Sequence, residues 1–150
     1  MTKPYIWLDM DGTIADLYGV RSWLSYIILE DVTPFKAAAP LYNIKELLQV
    51  LNQLKNTFNI GIISWLPKNG RPVYNKKVAK AKINWLKKHK LYSLLDNIQI
   101  VEYNTNKAEV CQSIGRGYLV DDDNRNLNQW FLGNVIDAKG NIITELIKLI

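Results

Sequence analysis

Pro4-Tyr5-Ile6-Trp7-Leu8 runs directly into Asp9-Met10-Asp11-Gly12-Thr13. The first half is continuously apolar, which reads as a short strand buried inside a sheet. The second half is acidic and carries a glycine able to turn the chain, so the strand delivers Asp9 to its carboxyl end. Three further runs behave alike: Asn59 to Ser64 (NIGIIS), Asn97 to Val101 (NIQIV) and Tyr118 to Val120 (YLV). Each is rich in Ile, Val or Leu and stops at polar residues, and a weaker fifth, Asn134 to Ile136, follows Gly133.

Helical patterns separate these runs. Ile44, Leu47, Leu48, Leu51 and Leu54 recur at three and four residues from a start near Tyr42, and Val78, Ala81, Trp85 and His89 mark one side of a lysine-rich segment. Strand and helix alternate, which predicts an α/β fold: parallel strands need crossover connections, and these lay helices over both faces of the sheet in three Rossmann-like layers. Functional groups in such sheets gather beyond the carboxyl ends of the strands. The rhythm breaks once, at residues 16–42, where aromatic and aliphatic residues from Leu17 to Phe35 precede Pro40. This excursion is too long for a loop and too short for a domain, and reads as a small helical cap insertion within one domain spanning residues 1–150.

Composition narrows the class of protein. Nearly half of the 150 residues are apolar, enough for one substantial core without disulfides, and the lone Cys111 cannot form an internal bridge. No apolar run approaches the length of a membrane span, so a membrane partner is not expected. The opening residues lack a basic segment followed by a long apolar one, and the expectation is a cytoplasmic protein. The net charge of +5 favours anionic ligands. Much of it sits at Lys76, Lys77, Lys80, Lys82, Lys87, Lys88 and Lys90, read as a solvated helix face, with a ligand-steering patch as the alternative. Lys82 falls on the apolar side, where a snorkelling stem is the ordinary explanation.

Asp9 and Asp11 follow the first strand, Ser64 and Trp65 the second, and Asp121-Asp122-Asp123 the fourth, with Lys107 on the way into it. If the first and fourth strands are neighbours, several carboxylates converge and repel one another unless a cation joins them. Mg²⁺ suits such a set, since it takes oxygen ligands and binds carboxylates together with a substrate phosphate. The spacing of Asp9 and Asp11 leaves attack to one carboxylate and proton transfer to the other. Plainer readings exist for the individual residues. Ser64 could close a turn before Pro67, Trp65 could fill core instead of walling a pocket, and Lys107 could be a surface lysine, although Asn104 and Thr105 before it look like a helix start. His89 has no acidic partner nearby in sequence and reads as a surface residue.

Taken together, LDMDGTIAD, IISW, NTNKAEV and LVDDD resemble the four motifs of the haloacid dehalogenase-like hydrolase superfamily, over Tyr5 to Asp123. The resemblance implies a phosphatase with Asp9 as nucleophile and Asp11 as acid and base. It implies phosphate contacts from the loop of Gly12 and Thr13, from Ser64 with its neighbour Trp65, and from Lys107. It further implies Mg²⁺ held by Asp9, the carbonyl of Asp11, and the acids Asp121 and Asp122. Many members carry Gly before the metal-binding Asp, which points to Asp122 as ligand and leaves Asp121 in support. The DMDG motif, Lys82-Ile83-Asn84-Trp85 and the paired Asp are similar to the 5'(3')-deoxyribonucleotidase branch and its phage-like relatives. The expected substrate is therefore a small phosphorylated molecule, first a nucleoside monophosphate and second the phosphorylated end of a nucleic acid. A receiver-like domain is disfavoured, because its phosphoacceptor would follow the third strand, where Val101 leads into Glu102-Tyr103. A phosphate-binding fold without catalysis is the remaining alternative.

Overall fold

The computed structural model describes residues 2–150. Five parallel strands form the central sheet: β1 (Tyr5–Leu8), β4 (Asn59–Trp65), β5 (Asn97–Val101), β6 (Gly117–Asp121) and β7 (Val135–Asp137), in the order β5-β4-β1-β6-β7. The helices are α1 (Trp23–Ile28), α2 (Thr33–Ala37), α3 (Ile44–Leu54), α4 (Pro72–Lys88), α5 (Lys107–Cys111), α6 (Asn124–Gln129) and α7 (Ile142–Ile147). All five strand segments read from the apolar runs are present.

Every residue of β1 is buried, as a central strand covered on both faces requires. Its side chains alternate between two cores. Ile6 and Leu8 join Leu47 and Leu51 of α3, Trp85 and Leu86 of α4, and Ile142 and Leu146 of α7. Tyr5 and Trp7 face the other way, against Ala108 and Cys111 of α5 and against Trp130 and Leu132 beyond α6. The domain thus has three layers, helix, sheet and helix. Gly61 serves the second face: a Cβ there would lie 2.5 Å from the Trp7 ring.

The insertion is not purely helical. Two-residue strands β2 (Ala15–Asp16) and β3 (Ala39–Pro40) pair antiparallel, Ala15 with Pro40 and Asp16 with Ala39, and enclose a 3₁₀ turn at Leu17–Gly19 followed by α1 and α2. Leu17 and Phe35 pack on Tyr74, Val78 and Ala81 of α4, a third small core that fixes the excursion against the body. Helix α3 starts at Ile44 rather than near Tyr42, because the side chain of Asn43 accepts the backbone N–H of Glu46. The start expected at Asn104 and Thr105 likewise moves to Asn106, whose side chain accepts from the N–H groups of Ala108 and Glu109. Among the described residues no helix is long and apolar enough to cross a membrane.

Candidate active site

The sheet places the acids. Leu8 stands opposite Val120 in β6 and Ile62 in β4, so the next residue, Asp9, emerges beside Asp121 and close to Ser64. The chain builds β4 and β5 on one side of β1 and β6 and β7 on the other, which makes the β1/β6 edge the switch point where such sheets hold ligands.

Beyond Leu8 the chain folds tightly. The carbonyl of Met10 accepts the N–H groups of Thr13, Ile14 and Ala15 at 3.0–3.1 Å, and Gly12 adopts φ +79°. Gly12 is required here on two counts. The left-handed conformation disfavours a side chain, and a Cβ would meet Asp122 Oδ2 at 2.2 Å. Its bareness lets Asp122 approach the loop.

Carboxylate oxygens of Asp9, Asp121 and Asp122 lie within 4.8 Å of one another. Lys107, itself buried, donates to Asp9 Oδ1 at 2.9 Å and to Asp121 Oδ2 at 2.7 Å. Burial opposes its charge, yet the attraction of Asp9 and Asp121 wins and holds the ammonium above its ordinary pKa. The Thr13 hydroxyl donates to Asp9 Oδ2 at 3.1 Å, so both oxygens of Asp9 are oriented. Asp121 is saturated as well: Oδ2 also accepts from Asn126 Nδ2 at 3.1 Å, and Oδ1 accepts from the N–H of Asp123 at 2.9 Å. Asp122 differs. Its closest donor is the Thr13 hydroxyl, at 3.5 Å, and burial together with the charges of Asp9 and Asp121 pushes its carboxyl well above the ordinary carboxylate range.

The ammonium of Lys107 thus pairs two of the three clustered carboxylates, and the one left without it is Asp122. Three clustered carboxylates are a donor set that could hold a hard cation such as Mg²⁺; Asp122 and Asp9 would be its side-chain ligands, with Asp121 held by its own hydrogen bonds in support. Asp123 is turned away onto Arg125, at 2.8 Å.

The side chain of Asp11 is not part of this cluster. It meets Lys82 at 2.9 Å, and the same ammonium donates to Ser64 Oγ and to the carbonyl of Trp65, both at 2.7 Å. Burial raises the Asp11 carboxyl above its ordinary value, with Lys82 pulling the other way. Reading Lys82 as a snorkelling stem is thus corrected: its side chain is 1% exposed and turns inward, because three acceptors at the end of β4 and in the β1 loop satisfy it. Its position beside Val78 and Trp85 was the available signal. Lys107 and Thr13, expected on the substrate phosphate, are engaged with Asp9 here, and Ser64 is buried beneath Lys82.

A cleft of about 910 Å³ opens from Asp11. Trp65 forms part of its wall, with its indole N–H on the carbonyl of Thr105, Tyr103 edge-on at 5.2 Å and the Arg125 guanidinium 4.9 Å from its ring. Tyr103 and Arg125 drew no functional reading from the sequence, since nothing local distinguishes them. Leu17, Tyr18, Trp23, Leu24 and Ile27 of the insertion form the facing wall. His89, read as a surface residue, is instead half-buried, with its ring against Trp85 and its Nε2 enclosed. No family model matches the sequence, and no curated protein matches it.

Proposed function

We propose that the chain is a Mg²⁺-dependent phosphomonoester hydrolase of the haloacid dehalogenase-like superfamily, acting on nucleoside monophosphates. The observation that carries this reading is the meeting of Asp9, Asp122 and Lys107 at the switch point, with Asp11 two residues beyond Asp9 and facing the cleft. When bound, Mg²⁺ would neutralise the carboxylates and the phosphate so that an anion can approach phosphorus.

The protein's own groups do the rest. A carboxylate oxygen of Asp9, aimed by Thr13 and Lys107, attacks phosphorus, and the bond from phosphorus to the ester oxygen breaks. Asp11, whose carboxyl burial raises above its ordinary value against the pull of Lys82, gives its proton to the departing oxygen. It then takes a proton from water, whose oxygen attacks the aspartyl phosphate, releasing inorganic phosphate and restoring Asp9. The aromatic cleft, with Tyr18 and Trp23 on one wall and Trp65 and Tyr103 on the other, supports a planar base on the leaving group.

The test is hydrolysis of an aryl phosphate and of a panel of nucleoside monophosphates by the purified protein. Activity is expected with Mg²⁺, loss with chelator and recovery on adding the metal back. No turnover of any phosphomonoester with any divalent metal would leave a silent phosphate-binding fold as the better reading. The third strand of the sheet, β5, ends at Val101, and neither it nor Glu102 joins the acid cluster, which continues to disfavour a receiver-like domain.

Lys82 offers a sharper check, since it joins the acid-base residue to the end of β4. Lys82→Met is expected to lower kcat roughly 10²-fold with little change in KM, because a misplaced proton donor is felt in the transition state. Lys82→Arg should recover part of the loss. A raised KM with unchanged kcat would instead make Lys82 a ground-state substrate contact.

A further inference from the structure

The outer face of α4 plays no part in the chemistry above. Lys76, Lys77, Lys80, Lys87 and Lys88 are all exposed there. At about 100° per residue they fall within an arc of about 120°, away from the buried Tyr74, Val78 and Trp85. The row from Lys76 to Lys88 extends about 18 Å at ~1.5 Å per residue. These five charges equal the whole net charge of +5, so the rest of the chain is neutral.

A solvated helix face normally mixes signs, pairing Glu with Lys four residues on. Helix α4 contains no acidic residue. Among the described residues none of the five lysines forms an ion pair, whereas Lys55, Lys82, Lys107, Lys139 and Lys148 each do. The helix dipole accounts for Lys87 and Lys88 in the last turn but offers nothing to Lys76, Lys77 and Lys80, which lie beyond the first turn with no acid on the helix to pair them. Lys87 also lies 4.8 Å from the centre of the Tyr92 ring, so the lysines that intramolecular stability does not explain are Lys76, Lys77 and Lys80.

We infer that this face of α4 binds the phosphodiester backbone of a nucleic acid. Two groups of ammonium side chains on one face, Lys76, Lys77 and Lys80 and then Lys87 and Lys88 about 10 Å further along, can each engage phosphates of one backbone, with no demand for base sequence. An anionic membrane is the weaker fit, because the apolar residues that α4 would insert into lipid are buried in the core. The helix also starts at the cleft rim, where Lys68 and Arg71 lie just before Pro72. A strand held along α4 would thus run close to the candidate site.

The inference is independent of catalysis, and an oligonucleotide of about 20 residues with hydroxyls at both ends tests it, read by fluorescence anisotropy across a salt series. Wild-type protein is expected to bind at about 50 mM salt, with log affinity falling linearly against log salt. The triple variant Lys76→Gln, Lys77→Gln, Lys80→Gln should bind at least about tenfold more weakly and show a slope shallower by about 2, at ~0.7 per lost phosphate contact. Its aryl phosphate hydrolysis and its melting temperature should match wild type, since the three side chains touch nothing in the site. Absence of salt-sensitive binding, an unchanged slope in the variant, or binding to anionic vesicles with no binding to the oligonucleotide would each overturn the inference. Binding by a protein inactive on every phosphomonoester would refute the hydrolase reading and leave this one standing.

Discussion

Asp9→Asn is expected to abolish phosphomonoester hydrolysis, lowering kcat by roughly 10⁴-fold or more, because a neutral amide cannot form the phosphorylated intermediate. The geometry makes this a clean experiment. Asn keeps the shape of the side chain and can still accept from Lys107 through its carbonyl oxygen, so the contact at 2.9 Å has a substitute. It also removes one of three crowded carboxylates, which relieves the repulsion felt by Asp122. The variant should melt no lower than wild type in the absence of Mg²⁺, and should still bind inorganic phosphate when the metal is present. Loss of activity accompanied by unfolding would mean that Asp9 serves the architecture. Activity within tenfold of wild type, with contaminating phosphatase excluded, would refute nucleophilic attack by this residue.

Lys107→Met should produce the largest change in stability, about 3 to 5 kcal/mol, the usual cost of removing one partner from a buried ion pair. Lys107 is 2% exposed and is the ammonium that contacts both Asp9 and Asp121. Methionine fills similar space and leaves two carboxylates without their cation. The dependence on pH has a definite sign. Burial already raises the folded-state pKa of Asp121. An acid raised on folding stabilises the fold below its unfolded pKa and loses that stability as pH climbs through the folded value. Removing Lys107 raises that pKa further, so the deficit of the variant should be greatest at neutral pH and should shrink as pH falls toward the ordinary carboxylate range. Urea unfolding at several pH values measures it. Combining Lys107→Met with Asp121→Asn should recover part of the loss, giving a coupling energy of at least about 1 kcal/mol in a double-mutant cycle. Additive effects would show that Lys107 acts through packing alone.

Much of this architecture is legible in the residues because it rests on short-range signals. An apolar run such as Tyr5 to Leu8, short, rich in aromatic and β-branched residues and closed by an acidic turn, reads as a strand covered on both faces, and Asp9 and Asp121 end such runs. What the sequence withholds depends on register and distant partners. Asp121 and Asp122 are adjacent and chemically identical; the family pattern points to Asp122, but the physical reason, the pairing of Leu8 with Val120 and the donors from Lys107, Asn126 and Asp123 that saturate Asp121, lies in distant parts of the chain. Lys82 has the same local pattern as a lysine bending out to water. Its inward path depends on Asp11, which is 71 residues away along the chain. Strands β2 and β3 escape notice because two residues carry no periodicity.

That two-stranded ribbon has a consequence for how the molecule tolerates change. Since Ala15 and Pro40 sit side by side, the polypeptide leaves the body and comes back through a single narrow neck. What lies between is held to α4 by Leu17 and Phe35, by Trp85 donating to the carbonyl of Ala38 and by Tyr74 donating to the carbonyl of Asp31, so changes that spare these anchors are expected to leave the strand registers as they are. The wall that the insertion gives to the cleft can therefore be reshaped while the strand ends that carry Asp9 and Asp121 stay as they are.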